Sequence, residues 1–406
     1  MAPEPTLSQQ PGTMLLSTCS FCAAPLHAWN TKDCERCETR YCDALCQRQH
    51  WRAKDGAHEK LCKKIERGGG AEQHHAKRRC AIADAIAVRS CVADTAGEIC
   101  YICRTDGKKE GLVRGCACRG TMGAAHLSCL AQQARLANEN DPAHTGPLED
   151  YSSRWGRWHT CGLCEQSYHG VVACALGWRC WLTYVMLPRT DVRRYFAMGI
   201  LGSALIEGRR GKEALPLLQT SLTECRFYTP PDSEAYPLMM RHNRQCIARC
   251  YNELGQHHKA LKIQRDLFEN QLELSGSSGA IAFSSAACLA YTLVALGKYA
   301  EARDLAVRWQ PEARKIIRYE GNDIELQLSF ANATWKDPDI LSPEARFNAT
   351  KFLDLAYKQS RRVLGPLHPK TRRVRESFKE CTSAFPQFTY IPIESPSLLD
   401  DIKNLS

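Results

Sequence analysis

The chain has 406 residues, 44% of them apolar, enough for several soluble globular domains and unlike a fibrous or disordered composition. Twenty-three cysteines exceed ordinary core use, yet no basic start with a long apolar run precedes them. A secreted disulfide scaffold is therefore disfavoured, and a reducing compartment is expected: cytoplasmic, with a nuclear location also compatible.

Residues 1–18 read as a flexible N-terminal tail. Four close pairs of soft donors follow: Cys19/Cys22, Cys34/Cys37, Cys42/Cys46 and His58/Cys62. A tight turn or one helical turn aims two such side chains at one ion, so four pairs supply two tetrahedral metal sites. His58-Glu59 also begins like a HExxH protease helix, but Cys62 stands where the second histidine belongs, which excludes that reading.

Residues 19–62 resemble the MYND zinc finger at every ligand, and also at Tyr41, Gln47 and Trp51. The resemblance implies interleaved sites, with Cys19, Cys22, Cys42 and Cys46 on one zinc and Cys34, Cys37, His58 and Cys62 on the other. His50 competes with His58 by spacing, and His58 is preferred because it pairs with Cys62. The family binds proline-containing peptides, which would place Gln47 and Trp51 at the groove; packing in a small core is an equal reading for Trp51.

Residues 63–98 form a basic linker. Gly68-Gly69-Gly70 breaks the chain, and residues 71–93 favour a helix. Its Lys and Arg residues read as a solvated face in preference to a nucleic-acid patch. His74-His75 lacks a second close pair and is not expected to bind metal.

The second cluster spans residues 99–168. Cys100/Cys103, Cys116/Cys118, His126/Cys129 and Cys161/Cys164 again make four pairs. The pattern resembles the RING-CH finger, with cysteine fourth and histidine fifth. The resemblance implies cross-bracing: Cys100, Cys103, His126 and Cys129 share one zinc, and Cys116, Cys118, Cys161 and Cys164 share another. It also implies a ubiquitin ligase that positions a charged conjugating enzyme, with Ile102 as an apolar contact to that enzyme. Two positions depart from the family. Gln133 stands where a tryptophan is common, and Glu165 where a basic residue is common; Trp155 or Trp158 is the candidate substitute for the missing aromatic. Residues 138–154 read as a polar loop inside the finger.

With four zinc ions bound, fourteen thiolates and eight metal charges bring the formal charge from +10 to +4, so no strong nucleic-acid signal remains. Gly170 to Leu187 is mostly apolar, but it is short and carries Arg179 near its middle. A buried helix is expected there and not a membrane span.

Residues 169–384 read as helical repeats. Lys212-Glu-Ala214, His258-Lys-Ala260, Ala300-Glu-Ala302 and Pro343-Glu-Ala345 recur, and Gly202, Ala248 and Ala290 stand twelve residues before the first three alanines. Small residues at that spacing let antiparallel helices approach closely. From about residue 195 to 384 the pattern resembles tetratricopeptide (TPR) repeats of kinesin-light-chain type, which implies a surface for a protein substrate. Residues 370–384 would cap the array, and residues 385–406 read as a loose tail.

The expected fold is thus mainly α: two small cross-braced zinc fingers followed by a TPR-like solenoid. The favoured function is a RING-CH-type ubiquitin ligase that selects substrates through the first finger and the repeats. The alternative is a non-catalytic zinc-finger/TPR adaptor. No nucleotide loop, serine triad, paired catalytic carboxylates or methyltransferase-like segment is present.

Overall fold

The computed structural model describes residues 19–24, 26, 31–53, 57–120, 122–139, 155–230, 233, 235–275, 280–313, 320–340, 342–366 and 368–385. The two expected tails and nearly all of the expected polar loop at 138–154 lie outside these residues. The chain divides into two compact units, residues 1–277 and 278–406.

The first unit opens with a two-residue hairpin, β1 (Lys32–Asp33) against β2 (Arg40–Tyr41), antiparallel with Lys32 opposite Tyr41. Helix α1 (Ala44–Arg52) follows. The Asp43 carboxylate caps it by accepting from the Cys46 backbone N–H at 2.7 Å. Helices α2 (His58–Arg67) and α3 (Gly70–Cys91) meet at the glycine break, where Gly69 and Gly70 adopt φ of 92° and 88°. No other residue type takes that conformation cheaply. The Ala71 N–H donates to the Cys37 carbonyl at 2.8 Å, so α3 starts on the first finger.

Helix α3 differs from a solvated connector. Cys80, Ala83, Ala87 and Cys91 recur on one buried face, which packs against α5 (Gly170–Tyr184), while Lys77 and Arg78 stay exposed. Helix α4 (Leu127–Glu139) also packs on α5. Ten residues of α5 are buried, as an all-round apolar helix requires. Among the described residues, no helix is long and apolar enough to cross a membrane.

Arg179 is how α5 carries a charge inside. Its Nε donates to Asp84 Oδ1 on α3 at 3.1 Å, and its Nη2 reaches Glu110 Oε1 of the second finger at 3.0 Å. Glu110 in turn accepts from the Ser128 N–H at 2.8 Å and so caps the start of α4. One guanidinium ties three segments together.

Four more helices complete this unit: α6 (Val192–Glu207), α7 (Gly211–Tyr228), α8 (Ala235–Glu253) and α9 (His257–Ser275). Each packs on the next, and α6 also packs on α8. Ala214 and Ala260 are fully buried in the first turns of α7 and α9. Gly202 lets α6 approach α7: a β-carbon there would lie 2.5 Å from Leu218 Cδ2. The first finger docks on this array through Arg40, whose Nη1 lies 3.6 Å from Glu224 Oε1 of α7, both side chains 3% exposed.

The second unit repeats the scheme with α10 (Ala280–Ala295), α11 (Tyr299–Ala313), α12 (Glu320–Trp335), α13 (Pro343–Val363) and α14 (Pro369–Ala384). Helices α10, α12 and α14 each contact the next-but-one as well as the neighbour. Ala290 and Ala302 are fully buried, whereas Ala345, in the first turn of α13, is only half buried. The Ser342 hydroxyl starts α13 by accepting from the Ala345 N–H at 3.3 Å, and His368 Nδ1 starts α14 by accepting from the Lys370 N–H at 3.1 Å.

Candidate metal centres

The four Cys-x-x-Cys segments share one backbone design. The residue after the second cysteine is left-handed each time: Ala23 (58°), Glu38 (59°), Arg104 (62°) and Glu165 (57°). Its N–H donates to the carbonyl of the first cysteine at 2.8–3.0 Å: Ala23 to Cys19, Glu38 to Cys34, Arg104 to Cys100 and Glu165 to Cys161. The first cysteine's own N–H donates five residues onward, to Ala24, Thr39, Thr105 and Gln166, at 2.7–2.9 Å. Three of these turns sit in miniature hairpins, closed by the pairs Asp33–Arg40, Ile99–Asp106 and Thr160–Ser167. Both sulfurs of each turn are thereby aimed to one side.

The pairs meet in four groups, and within each group the donor atoms lie within 4.8 Å of one another. Cys19, Cys22, Cys42 and Cys46 form the first; Cys34, Cys37, His58 and Cys62 the second; Cys100, Cys103, His126 and Cys129 the third; Cys116, Cys118, Cys161 and Cys164 the fourth. The groups interleave within each finger.

Their dimensions fit zinc. A tetrahedral site with 2.3 Å Zn–S bonds has sulfur–sulfur edges of about 3.8 Å. Observed edges are 3.7 Å for Cys22–Cys42, 3.8 Å for Cys34–Cys62 and 3.9 Å for Cys118–Cys161, with Cys42–Cys46 shorter at 3.4 Å. The all-Cys and Cys3His donor sets, closed and mostly buried, are those of structural zinc sites.

The histidines serve by opposite nitrogens. His58 presents Nε2, 3.3 Å from Cys37 Sγ, and burial pushes its imidazole down to about 4, so it stays a neutral donor. His126 presents Nδ1, 3.3 Å from Cys103 Sγ, while its Nε2 lies 2.9 Å from the Asp106 carbonyl. That carbonyl fixes the tautomer and the ring plane.

Two hydroxyls escaped sequence reasoning. Thr39 Oγ1 lies 3.1 Å from Cys37 Sγ, and Thr105 Oγ1 lies 3.1 Å from Cys103 Sγ. Hydrogen bonding from Thr105 is the main reason that the Cys103 thiol is pushed down to about 6. The signal was available: a threonine two residues past the second cysteine occurs in both histidine-containing sites and in neither all-cysteine site.

His50 lies outside the second group; its Nδ1 is 3.0 Å from the Tyr41 hydroxyl. Trp51 is half buried, with its ring 5.6 Å from that of His58, and Gln47 is half buried on α1. Ile102 is half buried on the third site's loop, while Leu163 on the fourth site's loop is 41% exposed. Gln133 and Glu165 are both exposed. Trp155 and Trp158 are correspondingly unable to stand in for a surface aromatic. Both are buried, with Trp155 stacked on Phe196 at 5.2 Å and Trp158 edge-on to Tyr184 at 6.1 Å.

Residues 100–141 match the family model of the RING-variant domain. That segment holds six of the eight donors of the second finger; Cys161 and Cys164 lie beyond it. No curated protein matches the chain. Among solved structures, it is similar to a Podosopora anserina protein designated a kinesin light chain, with nearly identical TPR-like repeats. The identity is 17%, covering 54% of this chain and 97% of that one, with a TM-score of 0.36. It is also similar to BtubC (BKLC) from P. vanneervenii, at 13% identity, 55% and 95% coverage and a TM-score of 0.32.

Proposed function

We propose that the chain is a zinc-dependent ubiquitin ligase of RING-variant type, holding four zinc ions in the four donor groups. The observation that carries this reading is the interleaving of the third and fourth groups around the segment that matches the RING-variant domain. Interleaving locks two metal loops to each other. Each loop offers an apolar side chain, Ile102 on one and Leu163 on the other. A β-carbon on Gly162 would lie 3.8 Å from Gln133 Oε1, so α4 flanks the second loop. Such a surface suits a ubiquitin-conjugating enzyme. No covalent intermediate forms on the ligase; it restrains the conjugating enzyme's thioester so that a lysine attacks in a productive orientation.

In this reading the finger at 19–62, of MYND type, binds a proline-containing peptide near Gln47 and Trp51. The helical repeats hold the protein substrate. A second reading, a zinc-finger adaptor without ligase activity, is favoured by Gln133 and Glu165, which put a polar group and an anion on the surface meant for the conjugating enzyme. Losing one aromatic anchor costs about 2 kcal/mol or more of binding, roughly thirtyfold.

Purified protein incubated with activating enzyme, a panel of conjugating enzymes and ubiquitin separates the two. The ligase reading expects ubiquitin chains that vanish in Cys116→Ala, weaken in Ile102→Ala and persist in Cys34→Ala. Absence of chains across the panel, with all four zinc sites filled, selects the adaptor.

A further inference from the structure

Gly162 is not demanded by its own backbone. The other three Cys-x-x-Cys turns carry Ser20, Glu35 and Tyr101 at the matching place, and Gly162 does not adopt a positive φ. What it provides is space. A β-carbon there would lie 2.8 Å from Arg157 Nη1 and 3.7 Å from Arg157 Cζ. The guanidinium therefore lies across the loop of the fourth site, on the side of α4, where Gln133 Oε1 is 3.8 Å from the same point.

The turn that carries Arg157 is braced. Trp155 and Trp158 are buried on either side of it. The His159 and Thr160 N–H groups both donate to the Gly156 carbonyl, at 3.0 and 2.7 Å, and the Tyr168 N–H donates to the His159 carbonyl at 2.8 Å. Arg157 itself is exposed, and among the described residues its guanidinium has neither an ion pair nor a hydrogen bond. A guanidinium presents its donors as a planar fork, the shape that a carboxylate fills.

Arg157 thus borders the surface assigned above to the conjugating enzyme. Leu163, 41% exposed, is the residue after Gly162. Glu165 follows on the same loop, also exposed and without an ion pair among the described residues. One apolar contact is accompanied by one open cation and one open anion. We propose, resting on the ligase reading, that Arg157 is a specificity-determining residue: it pairs with a carboxylate on the conjugating enzyme, so that enzymes acidic at that point are selected and enzymes basic there are rejected. Charges at the edge of an interface act in this way, through encounter rate and discrimination between partners.

The test is binding of fluorescently labelled conjugating enzymes, free and ubiquitin-loaded, to the full zinc-loaded chain. At low salt Arg157→Gln should weaken binding about threefold to fivefold and Arg157→Glu about tenfold, and both differences should shrink at about 0.5 M salt. Gly162→Ala should weaken binding as Arg157→Gln does, since its methyl displaces the guanidinium, and should add nothing in the Arg157→Gln background. Replacing the partner carboxylate of the enzyme by lysine should restore affinity for Arg157→Glu. Every variant should keep the wild-type zinc content, because the changes touch only an exposed side chain and the tip that lies over Gly162. Ile102→Ala separates this inference from the reading beneath it. If Ile102→Ala weakens binding while Arg157→Glu does not, the selectivity role is overturned and the ligase reading stands; if no enzyme binds the wild type, both fall. A loss in Arg157→Glu seen only with the ubiquitin-loaded enzyme puts the carboxylate on ubiquitin and also overturns the proposal.

Discussion

Arg179→Met tests the brace that joins α3, α5 and the second finger. Methionine keeps the apolar stem and removes the guanidinium, leaving Asp84 and Glu110 without their cation. Breaking a fully buried pair costs about 3–5 kcal/mol, and an exposed one about 0–1 kcal/mol. Here the Arg179 and Asp84 side chains are each 21% exposed and Glu110 is 31% exposed. The loss should therefore fall between those limits, at about 2 kcal/mol. In a unit of this size that lowers the melting temperature by roughly 4–8 °C. Burial already raises the Asp84 carboxyl above its usual value, and loss of the cation raises it further. A carboxyl raised in the folded state favours folding while protonated, and that advantage disappears as pH rises through its folded value. The variant should thus lose less, relative to wild type at the same pH, at pH 5.5 than at pH 8. Adding Asp84→Asn should restore about 1 kcal/mol by removing the stranded charge. Thermal melts of zinc-saturated protein at both pH values supply the comparison. A melting temperature within 1 °C of wild type, or no recovery in the double variant, refutes the brace.

Three further outcomes are expected. Glu224→Leu removes the carboxylate that Arg40 and Arg189 share on α7, and should cost about 1–3 kcal/mol, less than a fully stranded charge because Arg40 keeps Asp33 at 3.5 Å and the Thr31 hydroxyl at 3.1 Å; melts of wild type, Glu224→Leu, Arg40→Leu and the double variant measure the coupling. Thr105→Val should weaken the third zinc site by about tenfold or more in chelator competition while leaving the fourth unchanged, because it removes the hydroxyl beside Cys103. Arg104→Gly should be neutral or stabilising by up to about 1 kcal/mol, whereas Arg104→Val should destabilise, since valine tolerates φ of 62° poorly.

The metal framework was legible because tetrahedral geometry demands donors in close pairs, and pairs survive as spacing in a linear sequence. The choice of His58 over His50 followed from the same rule. The repeat rhythm was legible for a related reason: Ala214, Ala260 and Ala302 occupy the crowded first turn of a helix, where only a small side chain fits. The fourth repeat was harder to read, because its connection lacks glycine and its helix starts on Ser342 and Pro343. Partners far apart in sequence left no trace. Nothing local says that Arg179 meets Asp84 and Glu110, or that Arg40 meets Glu224, yet these contacts decide that α3 is packed and that the first finger is docked. Trp155 and Trp158 misled for the converse reason: an aromatic beside a zinc ligand serves a surface or a core equally well, and only the positions of Phe196 and Tyr184 settle which.

The central claim is that each finger braces two metal sites by interleaving distant donors. Zinc content of two double variants, read against wild type, tests it most directly. Cys116→Ser with Cys161→Ser removes two donors that share one group, and should cost one ion. Cys103→Ser with Cys116→Ser removes donors that are closer in sequence but belong to different groups, and should cost two. The reverse pattern, two ions lost in the first and one in the second, would contradict the account.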